Sequence, residues 1–268
     1  MRKYVFALVA FGLLAAGCHG TRRERVRIER QWPAADVTVI DLEGVNGSVN
    51  VRTGTGDVSM VAEVSSHGRR GKRRAEQILE TELSDGILSI TERSSGRRWG
   101  FFWGRHAEIT YDLIVPAATR LSLQTVNGRI DVEGVTGALE LETVNGAIEV
   151  VTPGADLEAQ AVNGSIRVTF QEKFEGASLK TVNGSVHVVV PSGSSIDYDI
   201  HQVNGNFQTD LPIRTVSGFG VREVSDSVNG GDYPLRVTTV NGSITLRERR
   251  AVAPVNSAPA ADSSTTSK

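Results

Sequence analysis

Side chains that could do chemistry are few in this chain. The sequence contains one cysteine, Cys18, and five histidines, at positions 19, 67, 106, 187 and 201. None of the histidines stands in a His-Glu-x-x-His zinc motif, and no Gly-x-Ser-x-Gly nucleophile elbow occurs. A single cysteine also excludes a disulfide framework within the chain and a zinc site built from several thiolates. The sequence therefore predicts no catalytic residues, no cofactor and no metal site.

Carboxylates leave one enzymatic alternative open. Alternation of apolar and polar residues directs Asp131, Glu140, Glu142 and Glu149 outward from their strands. A polysaccharide-active enzyme would need such acids clustered on one face, and alternation alone already explains their positions.

The formal charge of the chain is −2, from 29 Lys and Arg against 31 Asp and Glu. Nucleic-acid binders usually carry a strong basic excess, so no nucleic-acid partner is predicted.

The position of Cys18 gives that residue a specific role. Two basic residues, an apolar run over 4–14 and the small residues Ala15-Ala16-Gly17 precede it, which is the layout of a secretory signal. The segment Leu14 to Cys18 resembles a bacterial lipobox. That resemblance implies a signal peptide over residues 1–17, acylation of Cys18 and insertion of its lipid into a membrane. His19 stands where aspartate is associated with inner-membrane retention, so the expected location is the bacterial cell envelope, at the outer membrane.

A repeated tripeptide organises most of the chain. Val-Asn-Gly occurs eight times, with its asparagine at 46, 127, 145, 163, 183, 204, 229 and 241. Around it, Leu139, Leu141 and Thr143 alternate with acids before the corner, and Ile148 and Val150 alternate after it. This period of two indicates a strand, an Asn-Gly corner and a second strand. Asn and Gly both tolerate a positive φ, which such a corner is expected to need.

One unit buries too little apolar surface to stand alone, so the units must stack. The steps of 18–21 residues from Asn127 to Asn204 favour a parallel β-solenoid with one unit in each coil. An antiparallel β-sandwich of Asn-Gly hairpins is the alternative. In the solenoid the corner asparagines form a hydrogen-bonded ladder along the axis. The predicted ladder consists of Asn127, Asn145, Asn163, Asn183, Asn204 and Asn241.

These motifs resemble a known family. The segment Tyr111-Asp-Leu-Ile-Val-Pro116, followed by Leu121-Ser-Leu-Gln-Thr-Val-Asn-Gly128 and its repeats, is similar to the bacterial "putative adhesin" family of secreted or membrane-anchored repeat domains. The resemblance covers residues 36–247 and implies a parallel β-helix-like fold. It implies no established activity, substrate or catalytic residue.

The remaining segments differ in character from the repeats. Residues 18–35 are predicted to be a polar tether, 36–248 the repeat domain and 249–268 a disordered tail. An insertion over 69–106 contains a short helix predicted at Ala75–Leu83 and a Gly-punctuated aromatic loop. The loop either caps an open end of the solenoid or contacts a membrane or partner. Its candidate contact residues are Arg97, Arg98, Trp99, Phe101, Phe102 and Trp103.

Together these features predict a non-enzymatic, lipid-anchored envelope protein whose all-β solenoid acts in binding, adhesion or scaffolding. Its expected partners are membrane lipid, through acylated Cys18, and an unidentified envelope protein or surface polymer. A signalling module that docks a protein partner at the aromatic loop is a further alternative.

Overall fold

Two long, mostly parallel β-sheets build the molecule. The computed structural model describes residues 23–67, 79–92, 108–212 and 222–249. These residues form twenty strands and one short 3-10 helix, Ala34–Asp36. The strands are β1 Arg23–Trp32, β2 Val39–Asn46, β3 Val49–Thr53, β4 Val58–His67, β5 Leu79–Ser84, β6 Ile87–Glu92, β7 Glu108–Val115, β8 Arg120–Asn127, β9 Ile130–Glu133, β10 Leu139–Asn145, β11 Ile148–Thr152, β12 Leu157–Asn163, β13 Ile166–Phe170, β14 Ala177–Asn183, β15 Val186–Pro191, β16 Ile196–Asn204, β17 Phe207–Thr209, β18 Arg222–Val228, β19 Tyr233–Asn241 and β20 Ile244–Arg249.

Each Asn-Gly corner joins a strand of one sheet to a strand of the other. Sheet A has the strand order β1-β4-β7-β3-β9-β11-β13-β15-β20-β17, and sheet B has the order β18-β16-β19-β14-β12-β10-β8-β2-β6-β5. Strand β10 pairs in parallel with β8 and β12 in sheet B, whereas β11 pairs in parallel with β9 and β13 in sheet A. The fold is therefore all-β with parallel stacking, and the antiparallel sandwich of Asn-Gly hairpins is wrong.

Repeated residues occupy the same level in every coil. Ile148 lies opposite Ile130 on one side and Ile166 on the other, and all three are fully buried. The inward residues of both sheets form one continuous hydrophobic core. Branched aliphatics dominate that core because their side chains pack well on a pleated surface. A small aromatic group, in which the rings of Phe170 and Phe174 lie 5.0 Å apart edge to face, joins it.

The order of the coils follows the sequence only in the middle. Strands β8 to β15 form four consecutive coils, but β19 and β20 lie between the coil of β14 and β15 and the coil of β16 and β17. Strand β18 then covers β16 in antiparallel orientation. At the other end, β6 and β7 lie outside the coil of β2 and β3, and β4 and β1 extend sheet A in antiparallel orientation.

Two predictions about the N-terminal part are wrong. The tether predicted over 18–35 contains strand β1, Arg23–Trp32, which pairs with β4. Arg27 and Glu29 flank inward Ile28, and Trp32 is buried on the same face, so an Arg-rich segment still has apolar residues directed to the core. The helix predicted at Ala75–Leu83 is a strand from Leu79 onward, because β5 pairs with β6 and Leu79 is buried at its start.

Several other predictions fall on residues outside the described ranges. These are the signal peptide 1–17, Cys18, the aromatic loop residues Arg97, Arg98, Trp99, Phe101, Phe102 and Trp103, and the tail from residue 250 onward. Within the ranges that are described, no helix is long and apolar enough to cross a membrane.

Candidate functional site

A ladder of asparagine amides runs along one corner of the stacked coils. Nδ2 of Asn145 donates to Oδ1 of Asn127, and Nδ2 of Asn163 donates to Oδ1 of Asn145, both at 2.9 Å. The same bond, at 2.8–3.0 Å, links the series Asn46, Asn127, Asn145, Asn163, Asn183, Asn241 and Asn204 in spatial order. The six residues predicted from the repeat all lie in this series, and Asn46 extends it. Six of the seven are exposed, so the ladder lies on the surface.

The remaining Val-Asn-Gly, at Asn229, lies outside the ladder. Asn229 has a φ of 53°, and its amide donates to the carbonyl oxygen of Ser194 at 3.1 Å. It follows β18, which pairs with β16, and the chain then crosses to β19 on the far side of β16. This Asn-Gly is a turn that permits the crossing, and it makes no contact with the ladder.

The corner glycines are required by close approach between coils. A Cβ added to Gly164 would lie 1.6 Å from the carbonyl oxygen of Gly146, and one on Gly146 would lie 1.8 Å from that of Gly128. Neither Gly146 nor Gly164 has a positive φ. The expectation that these corners need glycine for a positive φ is therefore wrong there. Glycine is needed because adjacent backbones pass too closely for any side chain.

A buried threonine supports the corner from inside at Thr143, Thr181 and Thr239. Oγ1 of Thr143 donates to the carbonyl oxygen of Gly128 at 3.1 Å, and Oγ1 of Thr181 donates to that of Gly164 at 2.9 Å. Both side chains are buried. Ala161 occupies the position between them in the sheet and has no hydroxyl to donate. The middle coil of the ladder therefore lacks a bond that its neighbours make.

The valine of each repeat points the other way, into solvent. Because Thr143 faces the core, the pleat directs Val144 outward. Six of these valines keep 36–42% of their surface exposed. Together they form the valine row, which in spatial order is Val45, Val126, Val144, Val162, Val182, Val240 and Val203. Sequence reasoning did not single out this row, although the identical valine after each inward threonine carried the signal.

Beside the valine row runs a groove on the outer face of sheet B. Its volume is about 620 Å³, and its lining includes Val126, Val144 and Val162 together with Glu142 and Lys180. The outward residues two positions before each valine form a second line, the polar row. In spatial order they are Glu43, Gln124, Glu142, Gln160, Lys180, Thr238 and His201. The polar row is acidic at the β2 end and basic at Lys180.

One partly buried acid closes the β2 end of the groove. Oε1 of Glu92 accepts a hydrogen bond from the backbone N–H of Val45 and another from the hydroxyl of Tyr111, each at 3.2 Å. Burial raises the pKa of Glu92, although the two hydrogen bonds act in the opposite direction. Burial also raises the pKa of Tyr111, and the nearby Glu92 carboxylate adds to that shift. Glu92 therefore brings a partly buried ionisable group to this end of the groove.

The four carboxylates considered as a polysaccharide-cleaving cluster are divided between two faces. Glu140 and Glu142 lie on the outer face of sheet B, whereas Asp131 and Glu149 lie on the outer face of sheet A. On sheet A, Nε of Arg129 contacts Oδ1 of Asp131 at 2.7 Å, and the same guanidinium pairs with Glu149. In the part of the chain with described coordinates, no three His, Cys, Asp or Glu side chains gather into a possible metal site.

The family of this fold follows from a comparison with known families. The family model Toastrack DUF4097 matches residues 34–247, which include the ladder, the valine row and the groove. The chain belongs to the Toastrack family. The match begins just after strand β1, so the family region contains every coil with an Asn-Gly corner.

Solved structures similar to this Toastrack chain have low sequence identity to it. A "putative cell adhesion protein" from Clostridium sporogenes is 8% identical, covers 84% of this chain and all of its own, and has a TM-score of 0.40. A "putative adhesin" from Bacteroides fragilis is 11% identical, with 84% of this chain and 97% of its own covered and a TM-score of 0.37. No curated protein matches the sequence.

Proposed function

We propose that this Toastrack chain is a non-enzymatic binding module of the bacterial cell envelope, held at the membrane by a lipid on Cys18. It binds an envelope component through the outer face of sheet B, with the valine row at the centre of the contact. The family and the regular two-sheet fold support a binding role at a general level.

The observation that carries this proposal is the continuous valine row. Valines exposed at single surface positions are ordinary, but a contiguous apolar strip of this length is typical of an interaction site. The row extends across seven neighbouring strands, and the groove of about 620 Å³ runs beside it. The asparagine ladder borders the strip on one side and the polar row on the other. An apolar centre between polar borders is the common layout of a protein interface.

The anchor is a separate part of the proposal. A lipobox cysteine would carry more than one acyl chain, and two or more chains hold a protein stably at a membrane. The expected test is metabolic labelling with an alkyne analogue of palmitate in a bacterial host. The chain should incorporate the label and sediment with membranes, whereas Cys18→Ser should do neither. Equal labelling of both proteins would contradict the anchor.

The binding face is tested by photo-crosslinking in intact cells. A photoreactive amino acid at position 144 lies in the valine row, and one at position 114 serves as the matched control. Ile114 is 49% exposed and Val144 is 40% exposed, but Ile114 belongs to strand β7 of sheet A. We expect a discrete adduct from position 144 and none from position 114. Adducts of equal yield from both positions, or none from either, would contradict the proposed face.

A further inference from the structure

The valine row and the polar row have an internal symmetry. Seven strands carry them, in the order β2, β8, β10, β12, β14, β19 and β16, so β12 is the centre. Reversing this order exchanges β10 with β14 and leaves β12 in place. In the reversed order Glu142 occupies the position of Lys180, and Gln160 keeps its own position. Glu43 likewise exchanges with His201, and Gln124 with Thr238.

We infer that the partner of this face is a second copy of the same chain. This inference rests on the proposed function, because it names the partner of the same valine row. The two copies pack through the outer faces of sheet B, with their solenoid axes antiparallel and a two-fold axis along β12. Such a contact is isologous, so each favourable pair occurs twice.

Charge complementarity supports this arrangement. Each Glu142 carboxylate faces the Lys180 ammonium of the other copy, and the two Gln160 amides meet at the two-fold axis, where each can donate and accept. With parallel solenoid axes the two-fold axis would reverse the strand direction, so the two polar rows would lie on opposite sides of the valine rows and Glu142 would not face Lys180. Opposite charges across an interface fix its register.

The footprint is small but sufficient. Seven strands at about 4.8 Å spacing extend roughly 34 Å, and the asparagine, valine and polar rows together cover roughly 14 Å of width. The contact therefore buries on the order of 1,000 Å² over both copies, at the low end for specific interfaces. We expect a weak dimer that dissociates in the micromolar range. Glu140 and Glu158 lie two residues before the polar row, at the solvated rim. There the two copies of Glu158 face each other across the two-fold axis, and each accepts a hydrogen bond from Nε2 of its own Gln160 at 3.0 Å.

Thiol crosslinking tests the geometry directly. Each test variant is the full-length chain with Cys18→Ser and one new cysteine, either Val162→Cys or Val126→Cys. It is treated with a short bismaleimide whose span matches the distance of about 10 Å between packed sheets. The two valines are 42% and 40% exposed, so they are closely matched. Position 162 lies on the two-fold axis, whereas two copies of position 126 are displaced by about 19 Å along the sheets, four strand spacings, in addition to the distance between the sheets.

Val162→Cys should give a covalent dimer, and Val126→Cys alone should remain monomeric. A mixture of Val126→Cys and Val240→Cys chains should give the heterodimer, because those positions face each other. Dimers from Val126→Cys alone, or none from Val162→Cys, would overturn the inference. Melting curves equal to that of the parent chain show that each variant is folded.

A charge exchange tests the energetics. Lys180→Glu should weaken dimerisation at least tenfold by sedimentation equilibrium, and adding Glu142→Lys to it should restore the dimer. A parent chain that stays monomeric at several hundred micromolar, or a double variant no better than Lys180→Glu, would overturn the inference. If no dimer forms but the photoreactive group at position 144 captures a different envelope component, the dimer is wrong and the proposed binding face is retained. If position 144 gives no adduct, the proposed binding face is wrong as well.

Discussion

The asparagine ladder makes a quantitative prediction at Asn145. This side chain donates to Asn127 and accepts from Asn163, so Asn145→Ala removes two hydrogen bonds. Asn204 ends the series and donates only to Asn241, so Asn204→Ala removes one. The two substitutions delete the same side chain from corners that are both exposed. They therefore differ mainly in the number of hydrogen bonds lost.

The expected magnitudes follow from that count. An intramolecular hydrogen bond contributes about 0.5–1.5 kcal/mol net, and exposed bonds fall at the low end because water competes for the same groups. Asn145→Ala should lower the free energy of unfolding by about 1–2 kcal/mol, and Asn204→Ala by about half as much. The variant with both Asn145→Ala and Asn163→Ala loses three bonds, whereas its single variants lose four in sum. The double variant should therefore be less damaging than additivity predicts, by about 0.5–1 kcal/mol.

Urea unfolding followed by circular dichroism measures these differences. All variants should unfold with the slope of the parent chain, so that midpoint changes report stability. Equal losses at positions 145 and 204 would refute the reasoning, since they would show that the loss does not scale with the bonds removed. Strict additivity of Asn145→Ala and Asn163→Ala would refute the shared bond between those two side chains.

Three further predictions follow from the same structure. Ala161→Thr should raise the free energy of unfolding by about 0.5–1.5 kcal/mol, because the new hydroxyl gains a hydrogen bond equivalent to the one that Thr143 donates to a corner carbonyl oxygen. An unchanged urea midpoint would count against this prediction. Gly164→Ala should lower the free energy of unfolding by about 3 kcal/mol or more, since its Cβ would lie 1.6 Å from a backbone oxygen. The control Gly56→Ala, whose Cβ would have nothing within 4 Å, should change it by no more than about 0.5 kcal/mol. Similar thermal midpoints for the two variants would contradict this prediction. Burial raises the folded-state pKa of Glu92, so its contribution to stability is fully present below the unfolded pKa and is lost as pH rises through the folded pKa. Urea unfolding at pH 4 and pH 7 should therefore show that the stability of Glu92→Gln relative to the parent chain is greater at pH 7 than at pH 4. A stability difference that does not change with pH would exclude a raised pKa of Glu92.

Much of the repeat unit could be predicted from its sequence. Leu139, Leu141 and Thr143 face the core, and Ile148 and Val150 face it after the corner, as their period of two requires. Other features could not be predicted. Leu79 and Leu83 lie four residues apart, a spacing that fits a helix and a strand with equal ease. The neighbouring strand β6 decides in favour of a strand, because its backbone groups pair with β5 along the whole length of β5.

The local pattern by itself determined that the chain forms stacked units with an asparagine at each corner, an inward residue that is most often threonine and a valine outside it. Only the tertiary structure decided which unit lies beside which. The coil of β19 and β20 lies between β14 and β16 in sheet B, and Asn241 therefore precedes Asn204 in the ladder. Every unit offers its neighbours nearly the same row of backbone groups and the same aliphatic side chains. The order of the coils therefore depends on how the strands at each end close the stack, and no pattern within a single unit contains that information.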